Sequence, residues 1–145
     1  MYYDKGDFNR AIVDFSQALR IDPNYSGAYN NRGIAYYKKG DYDRAIADYN
    51  HAIRIDPNDA VAYNNRAHAY SDKGDYDHAI ADFSQSIRIN PNDAEKYYNR
   101  AIAYSEKGDY DHAIADFNKA IQVDPNYTAA HVERNLAHRK QEKQL

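Results

Sequence analysis

The sequence predicts an all-α fold of tandem helix-turn-helix repeats stacked as a solenoid, and three observations predict it. The eleven residues KGDYDHAIADF occur at 73–83 and again at 107–117, and looser copies, KGDFNRAIVDF at 5–15 and KGDYDRAIADY at 39–49, precede them at the same step of 34. The punctuation keeps that step, with Gly6, Gly40, Gly74 and Gly108 in one column and Pro23, Pro57, Pro91 and Pro125 in another. Between these marks apolar residues recur at spacings of three and four, the period of an amphipathic helix. A fixed period in this range marks an array whose repeats bury their apolar faces against one another.

In chain order, 1–25 is a partial repeat. Its opening, MYYDK, supplies the last turn of a first helix, and a second helix over 7–21 carries Phe8, Ala11, Phe15 and Ala18 on one face. In the first complete repeat, 26–59, Tyr29, Gly33 and Tyr36 at i, i+4 and i+7 predict a helix over 26–39. Gly40 ends it, because glycine tolerates the left-handed conformation that follows a helix. Asp41 is the expected N-cap of the next helix, over 41–55, with Asp43 in its first turn. Tyr42, Ala45, Ile46, Tyr49, Ala52 and Ile53 form its apolar face, and Asp56-Pro57-Asn58 closes the repeat. Repeats 60–93 and 94–127 predict helices over 60–73, 75–89, 94–107 and 109–123 in the same way. The segment 128–145 reads as one more first helix, over 128–142. There His131, Asn135 and His138 replace the columns of Tyr29, Gly33 and Tyr36 and cap the stack.

Small and bulky residues alternate in columns. Gly33, Ala67 and Ala101 share one, Ala11, Ala45, Ala79 and Ala113 another, and Phe15, Tyr49, Phe83 and Phe117 a third. Close helix packing requires this interdigitation, so the tyrosine stripe reads as core. The chain of 145 residues has a formal charge of −3, no Cys, and no apolar run of membrane-spanning length. These features oppose nucleic-acid and membrane partners, disulfides and thiolate metal sites, and point to a soluble cytoplasmic protein. No local pattern suggests catalysis or a cofactor, and the His spacing completes no metal-ligand set. His78 and His112 share the column of Arg10 and Arg44 and are expected on a solvated surface.

The repeat resembles the tetratricopeptide repeat, with an aromatic, a small residue and Tyr on its first helix, Ala, an aromatic and Ala on its second, and a closing Pro. Arg32, Arg66 and Arg100 depart from that family's usual Leu, and Tyr stands for its commoner Trp. The strict step of 34 and the Pro column oppose the longer pentatricopeptide pattern. The resemblance implies a right-handed superhelix and a concave groove lined by the first helices, where a partner peptide lies. Mapped onto this chain, the groove columns hold Asn30, Asn64 and Tyr98; Asn31, Asn65 and Asn99; and Ile34, His68 and Ile102. One turn on come Tyr37, Ser71 and Ser105, and then Lys38, Asp72 and Glu106. The Asn column resembles the asparagine ladder of O-linked N-acetylglucosamine transferases, which suits the backbone of an extended chain. Duplication of a surface Asn without function explains the column equally well. The family's basic clamp for C-terminal carboxylates would fall on Asn30, Glu95 and Asn99, none of them a cation.

Two functions follow as expectations. One is a non-enzymatic scaffold holding an extended protein or peptide segment in the groove. The other is a self-associating array that forms a homodimer through its N-terminal end, with Phe8, Ala11, Phe15 and Ala18 as the contact face. A further expectation concerns Asp14, Asp48, Asp82 and Asp116, each paired with the Arg 18 residues later, at 32, 66, 100 and 134. Such a ladder would stitch each repeat to the next.

Overall fold

The repeated punctuation resolves into eight α-helices in a computed structural model that describes residues 5–145, with no strand among the described residues. They are α1 (Lys5–Ile21), α2 (Ser26–Lys38), α3 (Tyr42–Ile55), α4 (Ala60–Asp72), α5 (Tyr76–Ile89), α6 (Ala94–Glu106), α7 (Tyr110–Val123) and α8 (Thr128–Lys143). All eight expected helices are found, and α1 begins two residues earlier than the pattern implies. The final turn expected in MYYDK falls mainly on residues 1–4, outside the described residues.

Local chemistry sets the helix ends. Gly40, Gly74 and Gly108 have φ of 81°, 82° and 82°, a region that side chains with a Cβ rarely adopt. Asp41, Asp75 and Asp109 follow at once, and each carboxylate accepts the backbone N–H three residues on, capping α3, α5 and α7. Asp59 and Asp93 cap α4 and α6 similarly. Tyr25 and Tyr127 stand in that column before α2 and α8, which have no side-chain cap.

The chain divides into two compact units, Met1–Gly74 and Asp75–Leu145. In the N-terminal unit, Ala45, Ile46, Tyr49 and Ala69 form a buried cluster on which Ile34, Tyr36, Tyr37 and Tyr70 pack. Gly33 is needed there for space: a Cβ would lie 2.6 Å from Tyr49 Cε1. In the C-terminal unit, Tyr97, Ala101, Ala113, Phe117, Ala120, Ala130 and Ala137 lie in one buried cluster. The cap is only partly polar in effect. Asn135 and His138 are exposed, but His131 donates from Nε2 to the Pro125 carbonyl at 3.0 Å, as the Tyr97 hydroxyl does to Pro91 at 2.9 Å. His131 therefore does the work of the tyrosine that it replaces.

The arginine column binds differently from the expected ladder. Arg32 donates from Nε and Nη2 to both carboxylate oxygens of Asp48, at 2.8 and 2.7 Å, and Arg100 grips Asp116 in the same way at 2.6 and 2.7 Å. Each partner lies 16 residues later in the same repeat, so the pairing with an Asp 18 residues earlier is incorrect. Asp14 is exposed, whereas Asp48 and Asp116 are buried by their own repeat's arginine. The link to the preceding repeat exists, but its acceptor is neutral. Arg32 donates from Nη1 to Ser16, Arg66 to Asn50, Arg100 to Ser84 and Arg134 to Asn118. Ser16 and Ser84 donate in turn to the carbonyls of Ile12 and Ile80, which leaves a lone pair for the guanidinium. The reason is helical geometry: residues two apart on a helix face nearly opposite ways, so Asp14 and Ser16 cannot both face α2.

A double-mutant cycle of Arg100→Met and Asp116→Asn tests this geometry. Their side chains are 20% and 9% exposed, so the coupling should be roughly 1–3 kcal/mol, less than for a fully buried pair. Denaturant unfolding that returns no coupling between them would refute the assignment.

Candidate functional site

The first helices carry the candidate columns, and in the N-terminal unit α2 and α4 bring six of those residues together. Ile34, Tyr37 and Lys38 of α2 and Asn64, Asn65 and His68 of α4 line a cleft of about 320 Å³. Tyr49 of α3 also lines it. The sequence marks Tyr49 only as a core aromatic, because its column matches Phe83 and Phe117 and nothing in the spacing sets it apart. Burial raises the ionisation of its hydroxyl well above the ordinary tyrosine value, so it remains neutral.

Two polar atoms of this cleft have no partner. Asn64 Oδ1 and Asn65 Nδ2 are buried within the protein and form no hydrogen bond. One is an acceptor and the other a donor, on consecutive residues. An unsatisfied buried polar group costs about 1–3 kcal/mol, so the fold is less stable for keeping these two unpaired.

The other asparagines of these columns do not line the cleft, although Asn30 Oδ1 is also buried without a partner. Asn30 donates from Nδ2 to Asp59 Oδ2 at 2.7 Å while Asp59 Oδ1 caps α4, so Asn30 fastens the loop before α4 and does not line the cleft. Asn31 is exposed, also outside the cleft. Asn99, in the C-terminal unit, is half-buried. The column of Asn31, Asn65 and Asn99 is thus uniform in sequence but not in setting.

Across the cleft the Tyr37 hydroxyl donates to the Asp72 carboxylate, joining α2 to α4. Burial first, and that bond second, push the Tyr37 ionisation far above its ordinary range, so it stays a neutral donor. Tyr37 and Lys38 also line a neighbouring cavity of about 430 Å³ with Phe8, Lys39, Gly40 and Tyr42. In the C-terminal unit, Tyr98 packs on Phe117 and Tyr127 with ring centroids 5.9 and 5.2 Å apart, and burial raises its ionisation. Ile102 packs against the same core, and Glu106 is exposed. Adding one period to the groove columns reaches Val132, Glu133 and Leu136 of α8. Val132 and Leu136 are exposed apolar residues that the sequence reading did not carry forward.

The expected self-association face is less bare than its sequence implies. Ala11 is buried, and Phe8, Phe15 and Ala18 are half-buried; the most exposed apolar residues of α1 are Val13 and Ile21. His78 and His112 are exposed, as expected, and each ring bonds through Nδ1 to the N-cap carboxylate of its own helix, Asp75 or Asp109. Among the described residues no group of three His, Cys, Asp or Glu is placed to hold a metal ion. No described helix is long and apolar enough to cross a membrane.

Comparison with known proteins places this geometry. A family model described as Tetratricopeptide repeat matches 26–59, 60–93 and 94–127, and a second, described as TPR repeat, matches 1–40. No curated protein sequence matches the chain significantly. Among solved structures, a crystal structure of MamA is similar over 98% of this chain and 87% of its own, with TM-score 0.91 and 27% identity. The first TPR of Spaghetti (RPAP3), bound to the HSP90 peptide SRMEEVD, is similar over 81% of this chain and 93% of its own, with TM-score 0.77 and 25% identity. The Arabidopsis OM64 TPR domain is similar over 79% and 94%, with TM-score 0.74 and 27% identity.

If the cleft asparagine is kept against stability, its replacement by an apolar side chain of similar size should not weaken the fold. Asn65→Leu should leave unfolding free energy unchanged or raise it by up to about 1 kcal/mol. A loss larger than that in urea denaturation would mean that the Asn65 amide is satisfied in the folded protein.

Proposed function

Because the chain belongs to the tetratricopeptide repeat family, we propose that it is a non-catalytic scaffold holding an extended polypeptide on the face of its first helices. The observation that carries this reading is the unpaired acceptor and donor, Asn64 Oδ1 and Asn65 Nδ2, in a cleft lined by two such helices. A peptide backbone offers one N–H and one C=O per residue, so once the two amides turn outward into the cleft an extended segment satisfies both atoms whatever its side chains are. Ile34, Tyr37 and His68 lie around that contact and supply selectivity by shape and polarity. Tyr98 and Ile102 supply it in the C-terminal unit. The peptide seen on the similar RPAP3 domain supports the general mode of binding. Its sequence is not carried over, since Asn30, Glu95 and Asn99 lack the cations of a carboxylate clamp.

Replacing Asn64 and Asn65 together by Ala should weaken binding of a captured extended peptide about tenfold, the effect of losing two hydrogen bonds of ordinary net strength. Circular dichroism should show the helices intact. Unchanged affinity by fluorescence anisotropy would return these residues to surface positions without function.

Self-association through α1 is a second reading, favoured by the half-exposed Phe8, Phe15 and Ala18 beside Val13, which is 66% exposed. Two copies meeting about a twofold axis would cover both faces, the commonest geometry of homo-oligomers. Light scattering over a wide concentration range should then show a dimer that Phe15→Glu abolishes. A monomer at every concentration excludes this reading.

A further inference from the structure

The cavity beside the asparagine cleft carries a charge that its counterparts in later repeats do not. Among the described residues it is lined by Phe8, Tyr37, Lys38, Lys39, Gly40 and Tyr42. Lys39 belongs to a column with Lys73 and Lys107, and those two are neutralised by carboxylates: Lys73 pairs with Asp43 and Lys107 with Asp77. Among the described residues the partner of Lys39 is Asn9, a neutral group whose Oδ1 accepts from Nζ at 2.6 Å. Lys38 stands where the next two repeats have Asp72 and Glu106, so the sign is inverted at that place too. Its Nζ lies 6.0 Å from the centre of the Tyr37 ring, and among the described residues neither lysine meets a carboxylate. Three acidic side chains of the adjoining segments have other partners. Asp41 caps α3 and pairs with Arg44, Asp43 pairs with Lys73, and Asp72 accepts from Tyr37.

We propose that this cavity receives an acidic side chain of the bound polypeptide, with Lys38 and Lys39 meeting the carboxylate and Phe8, Tyr37 and Tyr42 enclosing its methylene groups. The inference rests on the scaffold reading above and specifies its partner as an acidic extended segment. Tyr37 and Lys38 line both this cavity and the asparagine cleft, so one chain passing over them reaches both. The cations sit at the end of α2 and in its following turn, away from Asn30, where the family's clamp for a terminal carboxylate would begin. An internal Asp or Glu is accordingly the expected ligand.

The test uses short labelled peptides of Ser, Gly and Val carrying several Glu, Gln or Lys residues, all amidated, and a Gln peptide with a free C-terminus. Binding is followed by amide chemical shifts of the isotopically labelled protein. The Glu peptide should bind roughly threefold to tenfold tighter than the Gln peptide and shift Phe8, Gly40 and Tyr42, the range expected for exposed charge pairs. Lys39→Gln, at a residue outside the asparagine cleft, should reduce that preference and leave the amidated Gln peptide unaffected, and adding Lys38→Gln should remove it. Lys73→Gln should preserve it. Equal affinity for Glu and Gln peptides at the Asn64 and Asn65 signals overturns the acidic preference and leaves the scaffold reading standing. Glu-dependent shifts around Phe8 alone, with Asn64 and Asn65 unmoved, support the carboxylate site and remove its link to the cleft. A preference for the free C-terminus over internal Glu overturns the assignment to a side chain, and no shift with any peptide overturns both readings.

Discussion

A guanidinium held by three helical segments is the contact on which the rest of this architecture depends. Arg32 joins α2 to α3 through Asp48 and to α1 through Ser16; Arg100 joins α6 to α7 through Asp116 and to α5 through Ser84. A half-buried charge is tolerable only when paired and hydrogen-bonded, and the planar fork of Arg meets both needs at once. Tyr29 and Tyr97 lie 5.8 and 6.0 Å from these guanidinium carbons and add a weaker attraction through their ring faces. The carboxylate bond outweighs burial and raises the ionisation of both arginines. A raised base stabilises the fold below its unfolded-state value and is lost only as pH climbs through the folded one. That window is strongly alkaline, so this contribution is constant through the neutral range. Leu in place of Arg32 would leave Asp48, 3% exposed, without its counter-ion, which couples the unusual Arg column to the Asp column.

What was legible in the sequence was whatever repeats along one helix. Glycine at a left-handed turn, aspartate at a cap and alternating small and aromatic residues each have a local cause, and all eight helices follow from them. Pairing between helices has no such local sign. With both columns repeating at 34, an Arg reaching 16 residues forward and one reaching 18 back fit the register equally well. The difference lies in which face of the second helix turns inward, and the clue was the column Ser16, Asn50, Ser84 and Asn118, polar acceptors in every repeat.

The candidate site was legible as a set of columns but not as a cavity. Asn30 and Asn64 are equivalent in sequence and the Oδ1 of each is buried without a partner, yet only Asn64 lines the cleft, while Asn30 Nδ2 donates to Asp59. Counting residues cannot separate them, because the distinction depends on a loop from the end of the repeat. Tyr49 was missed for a related reason: it is 1% exposed and packs on Gly33 as a core aromatic, and nothing in its column shows that it also walls the cleft.

A repeated framework also explains where function should be sought. The Arg, Ala and aromatic columns are nearly constant because each repeat must pack on the next in the same way. The columns facing outward from the first helices carry no such obligation, and there the copies diverge: Asn30, Asn64 and Tyr98; Ile34, His68 and Ile102; Lys38, Asp72 and Glu106. The sign changes at one of these exposed positions, where Asp72 accepts from the Tyr37 hydroxyl and Lys38 has no such bond to make. Packing does not call for the two unpaired amide atoms of the cleft, Asn64 Oδ1 and Asn65 Nδ2. Both departures occur in the N-terminal unit and meet at Tyr37 and Lys38, which are common to the two cavities. If the proposed scaffold function holds, the differences between the copies, more than their likeness, are where selectivity among partners would reside.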